Sequence, residues 1–382
     1  MGLMYLSAPL VFGLLARYPK SRRPCILIGL VVMCLALGLS SLSQTVGELI
    51  ASQGILYAVG GALCYSPAIA FMDEWFVARK GLAFGCMWVG WWFLLYAALL
   101  VSPRGTTLMS KKQQLTTHCL KQAGTGIGGV LVPLLLQYLL NRYGFRTTLR
   151  CWTLILFLLA LPLTLFLKPR LPVASRTNHR SFSLSFLKNK TFLLLQLGNV
   201  LEAFGYFVPS IYLPTYATSL GASPSLSALT LILINISAVF GCIAMGGIVD
   251  RWHITTCILV STIGSTLSIF LLWGFSTSLP LLLVFCVMYG LFAGSYTTTY
   301  PGIMRAIGTQ QRADSTMVFA VLSAGRGIGN VVCGPVSEAL IRAGEVGDRG
   351  LYGTQYGPLV VFTGVSAALG GVSWFGKGVG WV

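Results

Sequence analysis

Apolar runs of about 20 residues recur along the whole chain and are separated by short polar segments. A helix of that length crosses the hydrocarbon core of a bilayer, and 55% of the 382 residues are hydrophobic while only 9% are charged. We therefore predict an all-α integral membrane protein with about 11 transmembrane helices. The predicted spans are 2–16, 25–43, 48–72, 81–88 continuing at 123–140, 147–167, 191–217, 225–249, 255–275, 279–303, 315–341 and 356–375.

The net charge of +17 could indicate a nucleic-acid partner, but the basic residues lie between the apolar runs, chiefly in alternate loops. That pattern is typical of cytoplasmic loops that set topology and contact the headgroups of the lipid bilayer, so we expect no nucleic acid. The visible N-terminus then lies outside, and one helix upstream of the short first run would return it to the cytoplasm. The longest basic loop, 168–190, is predicted to link an N-terminal bundle, 1–167, to a C-terminal six-helix bundle, 191–382.

One segment, 89–122, interrupts the pattern. It joins an apolar stretch that is too short to span a bilayer to a polar, basic stretch. Removing it joins 81–88 to 123–140 as one continuous span, so we interpret it as an insertion or a translated intron.

Two similar glycine-rich segments lie about 200 residues apart, in the two predicted bundles. They are AGTGIGGVLVP at 123–133 and AGRGIGNVVCGP at 324–335. Each has glycines at i and i+4, which allow close approach of another helix, and paired halves are common in secondary transporters. The first copy also matches a dinucleotide-binding fingerprint, but no strand precedes it, so we favour helix packing.

Charged residues inside the spans are the main candidates for function. Glu202 is the only carboxylate near the middle of a predicted span, and Asn199 and Tyr206 share its helix face. Arg326 is its obvious charge complement, with Asn330 one turn further. A buried charge usually has a partner and lines a solute or proton path. A purely structural ion pair and a helix-packing hydrogen-bond cluster are the alternatives.

Two further sets of polar residues are candidates. Tyr289 and Tyr296 lie in a hydroxyl-rich part of span 279–303, which suits a wet cavity or simply a helix end. Opposed charges at predicted cytoplasmic helix ends suit a gate that holds one access state, or surface anchoring. These gate candidates are Asp250, Arg251, Asp73, Glu74, Arg79 and Lys80.

The chain carries no pattern typical of an enzyme or a metal site. Ten cysteines are scattered without a C-x-x-C pair, and only three histidines are present. We expect no enzyme activity, no metal and no cofactor.

Four segments of the chain are FMDEWFVARKGLAFG at 71–85, NRYGFRTTL at 141–149, GGIVDRWH at 246–253 and the AGRGIGN segment. Together they resemble the monocarboxylate transporter family of the major facilitator superfamily, particularly its fungal branch. The resemblance covers nearly everything except 89–122, and it implies two six-helix bundles, a central solute site and alternating access, often with proton cotransport. It also shows departures. The family's first helix is absent, and the acid and arginine that handle anions in animal members fall near Ala238 and Cys242.

We therefore expect a secondary active transporter of a small organic solute, a monocarboxylate or related organic anion, with protons as a possible second partner. The plasma membrane is favoured over an organelle membrane. Two alternatives remain, a membrane sensor that binds solute without transporting it and an inactive product of a truncated or mis-spliced gene.

Overall fold

The computed structural model describes residues 1–75, 123–166, 184–311, 314–346, 352 and 354–378, and every regular element in these ranges is a helix. We number the long helices α1 to α10, and several contain a short break or a 3-10 or π segment. The first four are α1 (Gly2–Leu6 and Ala8–Arg17), α2 (Arg22–Ser40), α3 (Val46–Leu49, Ile50–Leu56 and Tyr57–Trp75) and α4 (Ala123–Phe166). The others are α5 (Lys190–Tyr206 and Val208–Ser219), α6 (Pro224–Val249), α7 (Ile254–Leu267 and Ser268–Trp273), α8 (Leu279–Ala293, Tyr296–Thr299 and Tyr300–Gln311), α9 (Ser315–Val346) and α10 (Gly357–Leu369, Gly370–Val372 and Ser373–Gly378).

These helices confirm the predicted all-α membrane fold. Within the described residues, eight helices are long and apolar enough to cross a bilayer, and Gly2–Arg17 and Gly357–Val372 are shorter apolar helices. α4 holds the two predicted spans 123–140 and 147–167, which meet at Gly144. Its backbone is at φ 77° and ψ 172°, a left-handed conformation that suits glycine. The predicted insertion, 89–122, and most of the predicted linker lie outside the described residues, so both stay predictions.

The second glycine-rich segment packs closely against two neighbours, as its spacing predicts. Gly325 and Gly329 face α5, where a Cβ on Gly329 would meet Ala203. Gly327 faces the opposite way, against the backbone of α1 at Leu6. The missing side chains therefore let α9 contact both the first half of the chain, through α1, and its own half, through α5. The side chains of the first copy, 123–131, lie outside what the structure describes.

Two buried hydrophobic clusters lie at opposite ends of the bundle. The first cluster, at the predicted cytoplasmic end, contains residues of both halves. Phe319 of α9 contacts Phe12 of α1 and Tyr65 of α3, with ring centroids 6.3 and 6.4 Å apart, and Tyr300 of α8 at 5.8 Å. The second cluster, from Val208 to Ala367, contains only residues of the second half. Among the described residues, the halves therefore share a hydrophobic core at one end only.

Candidate functional site

The structure brings the two candidate membrane charges into direct contact. Arg326 Nη1 donates a hydrogen bond to Glu202 Oε2 over 2.6 Å, and their side chains are only 3% and 6% exposed. The two residues come from α9 and α5, which pack closely along their length. A buried ion pair is costly to break because the remaining charge is left without a partner in a medium of low dielectric. Its contacts alone suit either a structural pair or a solute site.

One glycine on α10 and one on α5 make room for Glu202. α10 changes from α-helix to a 3-10 turn at Gly370, where a Cβ would meet the Glu202 side chain. Gly198, one turn before Glu202 on α5, lies against the Gly370 backbone carbonyl. The close approach of α5 and α10 helps to keep Glu202 only 5% exposed.

Tyr206 and Tyr296 surround the arginine. The guanidinium carbon of Arg326 lies 4.1 Å from the centre of the Tyr206 ring and 6.0 Å from that of Tyr296. A desolvated cation over an aromatic face gains about 2 kcal/mol, so Tyr206 stabilises the arginine in its buried position. Tyr289 lies behind this layer, and its hydroxyl donates to the Tyr206 backbone carbonyl over 2.8 Å. It therefore positions Tyr206.

Asn199 takes part in helix packing. Its amide nitrogen donates to the Leu322 carbonyl over 2.8 Å, and its amide oxygen accepts from the Tyr300 hydroxyl over 2.7 Å. These bonds join α5 to α9 and α8, and they fit the packing alternative for this residue. Asn330 differs, because both polar atoms of its amide are buried without a hydrogen-bond partner among the described residues.

A cavity of about 180 Å³ lies beside the ion pair, between α1 of the first half and the helices of the second half. Arg326 and Tyr206 are the predicted site residues that line it. Glu202 lies behind Arg326. Arg326 Nη2 is buried and makes no hydrogen bond to any described residue, so it can still donate. The lining residues are Tyr5, Tyr206, Phe207, Asn235, Ala238, Val239, Cys242, Gly294, Thr297 and Arg326.

Several lining residues escaped the sequence analysis. Tyr5 and Phe207 lie in strongly apolar runs, where an aromatic side chain facing a cavity has the same pattern as one facing lipid. Asn235 is polar, but a single amide is common inside a membrane helix and carries little signal. Thr297 differs, because it belongs to the hydroxyl-rich part of span 279–303 that suits a wet cavity, and it lines this one. Only position in three dimensions distinguishes Tyr5, Phe207 and Asn235.

The gate candidates are only partly described. Asp250, at the end of α6, forms an ion pair with Arg305 of α8 over 2.9 Å, and Arg251 is exposed. Nothing in the sequence marks Arg305 as the partner of Asp250. Both members of the pair belong to the second half, so this contact does not bridge the halves. The structure describes neither the side chains of Asp73 and Glu74 nor any part of Arg79 and Lys80. The gate therefore stays a prediction.

In the described part of the chain, no group of three or more His, Cys, Asp or Glu side chains is arranged to hold a metal ion. The available chemistry near the cavity is therefore that of a guanidinium, a carboxylate, aromatic rings and hydroxyl or amide groups.

Comparison with known proteins gives matches to membrane transporters. The model of the Major Facilitator Superfamily matches residues 108–332, which is more than half of the chain. The MFS transporter asaE of Aspergillus flavus is 23% identical over 336 residues, covering 88% of this chain and 66% of that protein. The Fujikurins efflux protein of Gibberella fujikuroi is 24% identical, with 95% of this chain and 68% of that protein covered.

An animal protein matches as well. Monocarboxylate transporter 12 of Xenopus laevis is 26% identical over 330 residues, covering 78% of this chain and 64% of that protein. These matches confirm the predicted resemblance to the monocarboxylate transporter family of the major facilitator superfamily, particularly its fungal branch. The chain spans about two thirds of the length of these relatives. Among solved structures, the nucleoside transporter NupG superposes with a TM-score of 0.62 at 15% identity, covering 97% of this chain and 86% of that one, which indicates a common fold.

Proposed function

This chain belongs to the major facilitator superfamily, and we propose that it is a secondary transporter that moves a small organic anion of the monocarboxylate class across a membrane by alternating access. The observation that carries the proposal is the buried guanidinium of Arg326 on the wall of the cavity, where Nη2 makes no hydrogen bond to any described residue. A guanidinium binds carboxylate and phosphate groups well, because two parallel N–H bonds can form, and a carboxylate is the smaller of the two.

At Ala238 and Cys242 the chain departs from the family, so anion handling in this cavity needs other charges. The family resemblance places an anion-handling acid and arginine near these two residues, and both line the cavity. An alanine and a buried thiol cannot form such a charge pair. In our proposal Arg326, which reaches the same cavity from α9, supplies the positive charge and Glu202 supplies the acid.

The pair also suggests how protons could be coupled to the solute. Arg326 and Glu202 together are neutral, so an arriving carboxylate adds one negative charge to a buried site. If the solute carboxylate displaces Glu202 Oε2 from Arg326, the freed carboxylate is left without a partner, and its protonation removes that cost. One proton would then accompany each anion.

The packing of the halves supports alternating access. The first cluster joins both halves at the predicted cytoplasmic end, whereas the second cluster lies within one half. Movement of solute to the cytoplasmic side would require the contacts of Phe319 with Phe12 and Tyr65 to separate.

We place the protein in the plasma membrane as part of this proposal, which imaging of a fluorescent fusion checks.

The test is uptake by the full chain reconstituted in liposomes, with labelled lactate, acetate and benzoate as probes and glycerol as a neutral control. We expect uptake of at least one carboxylate and none of glycerol. Arg326→Lys should lower that uptake at least tenfold, because a point charge replaces the bidentate fork, while the amount of folded protein stays similar. Arg342 on the same helix forms an exposed pair with Glu338, so Arg342→Lys is the matched control.

An unchanged rate in Arg326→Lys would remove this residue from the solute site. Binding of a carboxylate without its passage into the liposomes would instead support a sensor and contradict transport.

A further inference from the structure

Aromatic rings form much of the cavity wall beside Arg326. Tyr206 lies under the guanidinium, and the Phe207 ring meets the Tyr206 ring edge to face, with centroids 4.8 Å apart and planes at 83°. Tyr5 lines the cavity from α1 of the first half, and its ring lies 5.8 Å from that of Tyr65. Both halves therefore present rings to the same space.

The volume of the cavity limits what it can hold in this conformation. A dry cavity of about 150 Å³ is known to accept a benzene molecule, and drug-sized ligands occupy about 300–1,000 Å³. At about 180 Å³, this cavity fits one six-membered ring with a small substituent. It is larger than a two- or three-carbon acid needs, so such an acid would leave part of the wall without contact.

The charge in the cavity fixes one end of such a ligand. Arg326 is 3% exposed, and its Nη2 has no hydrogen-bond partner among the described residues. A buried donor without a partner is unfavourable, and a carboxylate at Nη2 would satisfy it. Ala238 and Val239 on α6 complete an apolar side suited to a ring.

Resting on the transport function proposed above, we propose that the preferred solutes are flat aromatic monocarboxylates of about the size of benzoate. The carboxylate would bind Arg326, and the ring would lie among Tyr5, Tyr206 and Phe207. Because ring contacts come from α1 and from α5, the same solute would touch both halves of the chain.

The test compares three unlabelled probes as inhibitors of labelled carboxylate uptake by the full chain in liposomes, with acetate, lactate or benzoate as the labelled solute, whichever is transported. Benzoate and cyclohexanecarboxylate have the same number of ring carbons and the same charge, but only benzoate has an aromatic face. Each favourable ring contact predicts about 2- to 13-fold tighter binding of benzoate. Propionate, which has no ring, should inhibit at least tenfold more weakly than benzoate because it removes less apolar surface from water and cannot pack against the rings of Tyr206 and Phe207.

Phe207→Leu should reduce the preference for benzoate over cyclohexanecarboxylate at least twofold, and Phe207→Tyr should keep it. Each variant is judged by the ratio of the two inhibitors, so a lower amount of folded protein does not change the result. The matched control is Phe240→Leu, because Phe240 is 63% exposed on α6 and does not line the cavity.

Equal inhibition by benzoate and cyclohexanecarboxylate in the unmodified chain would overturn this inference and leave the transport function standing. Absence of uptake for acetate, lactate and benzoate alike would overturn the transport function itself, and this inference with it.

Discussion

Replacing Glu202 by Gln should destabilise the protein far more than the same change at Glu338. Both carboxylates form an ion pair with an arginine of α9 over 2.6 Å, but the Glu202 pair is 3% and 6% exposed and the Glu338 pair is 75% and 63% exposed. The nitrogen–oxygen distance is the same in the two ion pairs, so they differ in how deeply they are buried. Removing one member of a buried pair costs about 3–5 kcal/mol because the other charge is left unpaired. An exposed i, i+4 pair contributes about 0.3–0.5 kcal/mol.

The free energy of unfolding should fall roughly tenfold more for Glu202→Gln than for Glu338→Gln. The double variant Glu202→Gln/Arg326→Gln carries no buried charge, so we expect it to be more stable than Glu202→Gln alone. Denaturant unfolding of the purified protein in detergent, followed by tryptophan fluorescence, measures all three. A similar small loss for Glu202→Gln and Glu338→Gln, or additive losses in the double variant, would refute the buried ion pair.

Three further predictions concern packing and coupling. Gly329→Val should abolish folding or lower the unfolding temperature sharply because a Cβ would meet Ala203. Gly334→Val should be tolerated because no other part of the described protein lies within 4 Å of a Cβ added there; yields and thermal melts compare the two variants. Phe319→Ala should lower the free energy of unfolding by about 3–5 kcal/mol because Phe319 is buried among three rings, and Phe240→Ala should lower it by less than about 0.5 kcal/mol because Phe240 is exposed. Equal losses of the two variants in denaturant unfolding would contradict the shared core. Glu202→Gln should make carboxylate uptake insensitive to an imposed pH gradient, and a persisting acceleration by an inward proton gradient would exclude Glu202 as the proton carrier.

The sequence predicted the helical membrane fold and the ion pair for a clear physical reason. Charges are few in the spans and expensive in lipid, so Glu202 and Arg326 stood out and had little choice of partner. The glycine spacing in 324–335 likewise indicated close packing, and the structure places Gly325 and Gly329 against α5.

Other features could not be read from the sequence. Tyr5 and Phe207 were hidden among many apolar residues, because hydropathy does not distinguish a cavity wall from a lipid-facing surface. Asp250 is paired with Arg305, although Arg251 is its neighbour in the chain. Ion pairs at helix ends depend on which ends come together, and this depends on the packing of α6 and α8. For Asn199, the sequence left solute contact and helix packing open, and only its hydrogen bonds with α8 and α9 favour packing.

The unequal distribution of the two hydrophobic cores has a thermodynamic consequence. Opening the bundle at the end held by Phe12, Tyr65 and Phe319 exposes apolar surface shared by the halves, and the described residues contain no matching shared core at the other end. In the proposed transport cycle, this exposure disfavours opening at that end in a molecule without solute. A solute can shift the equilibrium toward the conformation open at that end only by the difference in its binding free energy between the two conformations. In the proposed cycle, a compound that binds both conformations about equally would occupy the cavity without being transported.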